Sequence, residues 1–299
     1  SSVWYGDRIQ EDTSFMTSRS SSTFNKNVTI TGKYQGKDYN AVLPFTGEPE
    51  LNSYSSKYLN ADTTFMNLTF DGGLNQNSYS PYTTSGQLYF FLQGYNLTIG
   101  KGVKMENYAT SNTNQGLYSS KAPAFHIFGG WERYNESSLP RNNNEIKIMS
   151  GTYGRVILGG SNGISSQSAL NNSTSHNFIG ASQSDKFITK CTVDINESTT
   201  NTTKYDYDIN LLVGGGATGN TYCDCTIDIK NGTIGRMLGG SIGDSSYRTS
   251  GYPVNTYIGS STINISGGTI QEVFGGSLGR NMSAINSSSS NSNLCDVYY

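Results

Sequence analysis

Apolar residues recur at every second position in short bursts, and each burst ends in a polar turn containing glycine. The pattern is plainest in three segments: IKIMSGTYGRVILGGS (146–161), IDIKNGTIGRMLGGS (227–241) and INISGGTIQEVFGGS (263–277). They share apolar-x-Ile, a turn, Thr followed by Ile or Tyr, a short apolar run, and Gly-Gly-Ser. Period-two alternation puts Ile227 and Ile229, or Ile263 and Ile265, on one side of a strand. Strands this short bury little alone. They become stable when successive copies stack ~4.8 Å apart and their isoleucines form continuous columns. The first segment has one extra residue before its Gly-Gly, which is expected to form a bulge. A partial fourth copy starts in TVDIN at Thr192 and rejoins the pattern at LLVGGG (211–216), and CDVYY (295–299) reads as the start of another. The N-terminal half keeps a looser version in VTITG from Val28, TFMNLTFDGG from Thr64, LYFFLQGYNLTIGKGV from Leu88 and AFHIFGG from Ala124.

These elements predict an all-β fold, a single-stranded parallel β-helix (β-solenoid) with protruding Ser/Asn-rich loops at 161–176 and 283–293. Its corners fall at Gly129 and Gly130, Gly159 and Gly160, Gly239 and Gly240, and Gly275 and Gly276, where positive φ or close backbone approach favours glycine. A β-propeller would need four-stranded blades at a regular period of about 40–45 residues. The starts at Ile146, Val193, Ile227, Ile263 and Val297 are too unevenly spaced for that. No Pro-rich or Gly/Ser linker divides the chain, so residues 1–299 read as one continuous solenoid. Within it, 1–24 with Trp4 is an N-terminal cap, 28–140 irregular coils, 142–280 regular repeats, and 281–299 a loop with a last strand.

In TINISGGTIQEVFGGS (262–277) and YNLTIGKGVKM (95–105) the chain resembles the adhesin-like, Gly-rich parallel β-helix surface proteins of anaerobic bacteria and methanogenic archaea. The resemblance covers most of 28–280. It implies a cell-surface or matrix role and supplies no catalytic residues. The chain departs from that group in showing no C-terminal cell-wall anchor.

Only 34% of residues are apolar and 14% charged, yet net charge is -2 and aromatics make up 12%, a balance that favours folding around a narrow core over disorder. Twenty Lys and Arg against 22 Asp and Glu leave no basic face for nucleic acid. No apolar run approaches the ~18 residues of a membrane span. Ser1 as first residue fits a mature chain whose signal peptide has been removed, and equally a chain trimmed from a longer one. Acceptors of the N-x-S/T type occur at Asn27, Asn67, Asn96, Asn135, Asn171, Asn172, Asn196, Asn201, Asn231, Asn264, Asn281 and Asn286, slightly more than this composition gives by chance. Secretion is the expectation.

Aligning CTVDI (191–195) with CTIDI (225–229) puts Cys191 and Cys225 in one column, close enough for a disulfide. That bridge would imply an oxidising compartment. Cys223 and Cys295 then pair with each other or link neighbouring molecules. LPFTG (43–47) matches a sortase signal, but about 250 residues follow it, and it reads as a turn. Glycoside hydrolysis needs two carboxyls in one cleft. Asp206 and Asp208 would share one strand face, and Asp194 and Asp228 would stack between coils, yet outward polar alternation explains all four equally. His126, inside an apolar strand, and His176, in a polar loop, have no metal-ligand spacing to any Cys or carboxylate. The 21 tyrosines suit strands before they suit a sugar-binding face. Thr192, Thr226 and Thr262 share a column by this alignment, too interrupted for a flat ice-binding face.

The expected function is therefore a non-enzymatic extracellular structural protein without cofactors or metal. It would partner itself head-to-tail, or other surface components, through unpaired end strands. An adhesin or carbohydrate-binding scaffold, with recognition in loops 161–187 and 242–258, is the alternative, and a polysaccharide lyase or hydrolase the third reading.

Overall fold

The computed structural model describes residues 27–44, 55–72, 88–106, 108, 121–130, 143–159, 178–179, 187–197, 205–216, 220–243, 256–279 and 296–298. These contain strands and turns and no helix. The strands fall into seven successive passes between the same two sheets. The first pass holds β1 (Val28–Thr31), the hairpin strands β2 (Lys33–Tyr34) and β3 (Lys37–Asp38), β4 (Val42–Pro44) and β5 (Ser55–Tyr58). The second holds β6 (Thr63–Met66), β7 (Thr69–Asp71) and β8 (Leu88–Phe91), and the third β9 (Leu97–Ile99), β10 (Lys104–Glu106) and β11 (Phe125–Phe128). The fourth is shorter, with β12 (Asn143–Ile148) and β13 (Tyr153–Ile157). In the fifth, β14 (Phe178–Ile179) precedes β15 (Phe187–Asp194) and β16 (Ile209–Val213). The sixth runs through β17 (Asn220–Asn231), β18 (Thr233–Leu238) and β19 (Ile242–Gly243), and the seventh through β20 (Thr256–Ile258), β21 (Ser261–Ile265), β22 (Thr269–Phe274) and β23 (Leu278–Gly279). β24 (Asp296–Tyr298) follows.

Each pass adds one strand to each sheet in the same order. In the first sheet β1, β6, β9, β12, β15, β17 and β21 are neighbours in turn; in the second, β5, β8, β11, β13, β16, β18 and β22. A third sheet, β4-β7-β10, is found among the described residues in the first three passes. All these pairings are parallel, whereas the β2–β3 hairpin is antiparallel. β24 lines up with β20 and not with the strand of the Ile146 column, so the last residues match the run-in to a repeat.

Constant register turns sequence alternation into columns. One inward column of the first sheet is Val28, Thr63, Leu97, Ile146, Cys191, Ile227 and Ile263; the next is Ile30, Phe65, Ile99, Ile148, Val193, Ile229 and Ile265. They face Phe90, Ile127, Val156, Leu212 and Met237 of the second sheet in one core cluster. The second sheet is buried on its other face too. There Tyr58, Phe91, Phe128, Ile157, Val213 and Leu238 form a second column, and the first three rings stack with centroids 5.3 and 4.9 Å apart. That spacing is the strand separation itself.

The register corrects three expectations. The fifth pass enters the columns at Cys191, two residues before the expected start at Val193, and its register shifts by one residue only after the columns, between Val193 and Asp194. The extra residue of the first repeat makes no bulge in β13. Pairing runs unbroken to Ile157, and Leu158 takes the place that Gly214 has in the next pass. The Gly-Gly corners owe nothing to positive φ at Gly129, Gly239, Gly240 or Gly275. Close approach is the reason at the first three: a Cβ at Gly129 would fall on the carbonyl oxygen of Leu158, one at Gly239 on that of Gly275, and one at Gly240 on Ser277 Oγ. Gly159, Gly215, Gly240 and Gly276 hydrogen-bond backbone to backbone in series, at 3.1, 2.9 and 3.0 Å. Gly130 accepts from Gln93 N, and Gly160 lies outside the described residues. Positive φ is used instead in the turn joining the first sheet to the second, at Gly151 (+91°), Gly232 (+117°) and Gly268 (+82°).

Candidate assembly edge

Among the described strands, β22 is the last of the second sheet and β21 pairs with β17 alone, while β24 lies beside β20 just before β21. The column residues of β21 and β22 are uncovered: Ile265 is 51% exposed, Val273 47% and Phe274 37%. One pass earlier, Ile229, Met237 and Leu238 in the same columns are fully buried. The same side chains that build the core elsewhere therefore present apolar surface here, beside unpaired backbone N–H and C=O groups. Glu272 anchors this edge, since Arg236 Nε and a terminal guanidinium nitrogen both reach Glu272 Oε2 at 2.7 Å. The guanidinium also lies 5.8 Å from the centre of the Phe274 ring. At the other end, Leu43 and Tyr58 are buried, while Val28 and Ile30 are half-buried.

The cysteines are not where the alignment put them. Cys191 lies opposite Ile227, and Cys225 opposite Thr189. One strand across and two residues along separate their Cα atoms by about 8 Å, beyond the ~7 Å a disulfide spans. The predicted Cys191–Cys225 bridge does not form: Cys191, Cys223 and Cys225 are free, buried thiols. Burial, reinforced by Asp228 and Cys225, pushes the Cys191 thiol far above its ordinary value, so it behaves as a small apolar residue in the isoleucine column. Cys295 lies outside the described residues.

Cys225 belongs to a feature the sequence reading missed. Asn144, Thr189, Cys225 and Ser261 form a polar column just inside the corner. Thr189 Oγ1 donates to Asn144 Oδ1 at 2.6 Å and Asn144 Nδ2 to Gly129 O at 3.2 Å. Cys225 Sγ is 3.5 Å from Gly239 O and 3.3 Å from Ser261 Oγ. The facing glycines make room for it: a Cβ at Gly214 would strike Cys225 Sγ, and one at Gly239 would sit 2.6 Å from Ser261 Oγ. The signal was available as a small polar residue two places before each inward isoleucine position.

The candidate carboxylates have opposite environments. Asp206 and Asp208 precede β16 in a bend, not on a strand face. Asp208 is buried and its Oδ2 accepts from Thr233 N and Oγ1, each at 2.8 Å, whereas exposed Asp206 meets Lys121 at 3.6 Å. Asp194 pairs in register with Asn231 and Asp228 with Thr192, so these two do not stack, and Thr192 leaves the column that Thr226 and Thr262 share. His126 is buried opposite Arg155, and burial, then Arg155, holds its imidazole well below the usual pKa, hence neutral. His176 lies outside the described residues. Among the described residues no group of three or more His, Cys, Asp or Glu could hold a metal ion. Tyr58, Tyr95, Tyr108, Tyr153 and Tyr205 are core residues.

Of the glycan acceptors, Asn27, Asn196 and Asn264 are exposed and Asn67, Asn96 and Asn231 half-buried. The Nδ2 groups of Asn96, Asn196, Asn231 and Asn264 donate to Asp62, Asp194, Asp194 and Asp228, at 3.2, 2.9, 2.7 and 2.8 Å. Asn135, Asn171, Asn172, Asn201, Asn281 and Asn286 lie outside the described residues, as do 1–24 and the loop stretches 161–176 and 283–293. No helix among the described residues is long and apolar enough to cross a membrane. The chain matches no family model, no curated protein and no solved structure.

Proposed function

We propose that this chain is a β-solenoid serving as a non-enzymatic, extracellular structural protein, and that it assembles end to end through its terminal strands. The identical strand order of its two long sheets supports the solenoid, because a chain that adds one strand to each sheet per pass winds along a single axis. One observation carries the assembly: the apolar columns that are sealed at Ile229, Met237 and Leu238 are open at Ile265, Val273 and Phe274. Head-to-tail contact at such an edge does not close on itself and gives a filament or sheath. Free thiols at Cys191, Cys223 and Cys225 remove the argument from oxidation. The extracellular reading rests on the uncharged Ser, Thr and Asn-rich exterior, the glycan acceptors and the resemblance to adhesin-like surface proteins. Sedimentation velocity across a hundredfold concentration range, with electron microscopy of the same samples, tests this. Growth into rods longer than one chain is the expected result. Single short rods at every concentration overturn assembly and favour a display scaffold for adhesion.

A further inference from the structure

We propose that β21 of one copy pairs in parallel with β1 of a second copy, so that the first sheet runs unbroken across a head-to-tail junction. The inference rests on the assembly reading above and adds which strands meet and in which register.

Edge strands are normally protected by charges, proline or irregularity, because unpaired backbone recruits other chains. The bounding strands of this molecule divide on that criterion. β4 ends in Pro44, β10 carries Lys104 and Glu106, β5 carries Lys57, and β22 carries Glu272. β1 (VTIT) and β21 (STINI) carry no charge and no proline. β1 bounds the first sheet on one side; on the other, β21 pairs with β17 alone among the described strands, while β24, with Asp296, lies beside β20 just before it, and β1 and β21 run in the same direction. Tyr58, on the β5 edge, is already buried, so the first sheet leads the contact.

The occupant follows from the columns. Val28 opens the column that Ile263 closes, and Ile30 opens the one that Ile265 closes. These end residues are half-buried or exposed, so each still has apolar surface to lose to a neighbour. A second copy translated along the stack places Val28 on Ile263 and Ile30 on Ile265, which repeats the contact β21 already makes with β17. The outward positions agree: Thr29 and Thr31 would adjoin the column of Thr262 and Asn264 without like charges opposite one another.

The test uses exposed positions of the shared outward column, which runs Thr29, Thr64, Thr98, Lys147, Thr192, Asp228 and Asn264. Thr29→Cys and Asn264→Cys in one chain would sit ~4.8 Å apart across the junction, within disulfide range. The off-register pair Thr29→Cys with Thr262→Cys, also exposed, would be separated by about 8 Å. Under mild oxidation the first variant should give a ladder of covalent multimers, at least fivefold more than the second or either single variant. Reduced samples must sediment as the wild type does, which confirms that the variants fold. Wild-type assembly without preferential cross-linking of 29 to 264 overturns the docking and leaves the assembly reading intact. Wild-type chains that stay single at every concentration overturn both.

Discussion

The first three passes and the last four share one register but differ in girth. In the first three, a third sheet widens the section, and aromatic rings fill it: Phe125 lies with ring centres 5.4 Å from Phe70 and Tyr108 and 5.6 Å from Tyr153. From the fourth pass on, no described strand continues the third sheet. Ser150 marks the step, its hydroxyl accepting from Val103 N at 2.9 Å and donating to Gly100 O. Gly151, Gly232 and Gly268 turn the chain straight from first sheet to second in the fourth, sixth and seventh passes, and Ile, Val, Leu, Met and Cys make up most of the interior there, with Tyr153 and Phe187 as its rings. The wider passes thus hold more aromatic rings, while the inward columns keep one register throughout.

The most severe way to break this comparison is to empty the wide section. Phe125→Ala removes the ring where four aromatic side chains meet, and large-to-small changes at such sites destabilise by about 3–5 kcal/mol. Ile227→Val in the narrow section should lose only about 0.5–1.5 kcal/mol. Urea unfolding of the Phe125 variant should become biphasic, the first phase carrying the near-ultraviolet aromatic signal. Equal, single transitions in both variants would show that girth does not divide the core.

Glycine offers the reciprocal experiment. Gly214→Ala would drive a methyl into Gly239 O and Cys225 Sγ, and Gly239→Ala into Gly275 O. Overpacking of this kind destabilises by about 1–3 kcal/mol. Gly275, in the same column but on the open edge, has nothing within 4 Å of a new Cβ. Gly275→Ala should therefore be neutral within about 0.5 kcal/mol in thermal melts of the unassembled chain. A Gly275 variant as damaged as Gly239 would mean that something already covers that edge.

Much of this architecture was legible in the chain. The Ile-x-Ile pairs, the Gly-Thr turn and Gly-Gly-Ser recur because each pass solves the same packing problem, and strands begin within one residue of the expected starts at Val28, Thr64, Leu88 and Ala124. What was not legible depends on register, which letters alone fix poorly. CTVDI and CTIDI look equivalent, yet a two-residue offset changes a disulfide into a core thiol and a hydrogen-bonded thiol. The close approach behind the corner glycines, and the buried polar column they accommodate, depend in the same way on what the next pass places opposite. The edge was half visible: Ile265 aligns with the inward isoleucines, yet it is exposed because no described strand pairs β21 on its far side.

The two thiols sharpen the comparison within the narrow section. Cys191 stands in the isoleucine column between Ile146 and Ile227, whereas Cys225 lies between Thr189 and Ser261. Cys191→Ser buries a hydroxyl in apolar surroundings and should destabilise by about 1–2 kcal/mol. Cys225→Ser keeps polar neighbours at Gly239 O and Ser261 Oγ and should stay within about 0.5 kcal/mol of the wild type. Denaturant midpoints at constant m-value read the difference, and a reversed order would return the register to the one the local alignment suggested.

The smallest expected effect lies on the outer face, in the column of Thr29, Thr64 and Thr98, which in the sixth pass holds Asp228. The hydrogen bond from Asn264 Nδ2, and then Lys190 at 3.1 Å, hold this carboxylate below its ordinary pKa against a modest opposing effect of burial. A carboxyl whose folded pKa is depressed contributes stability above its unfolded value, about 3.9, and loses it as pH falls through the folded value. Asn264→Ala should therefore lower stability at pH 6 by no more than about 1 kcal/mol, the range of exposed polar pairs. The gap between variant and wild type should close on acidification below pH ~4, where protonated Asp228 no longer benefits from its partners. Thr98→Ala, in the same column of the wide section, has no carboxylate in register and should show no such closing gap. Parallel pH profiles for the two variants would mean that the column gains nothing from the charge introduced where the chain narrows.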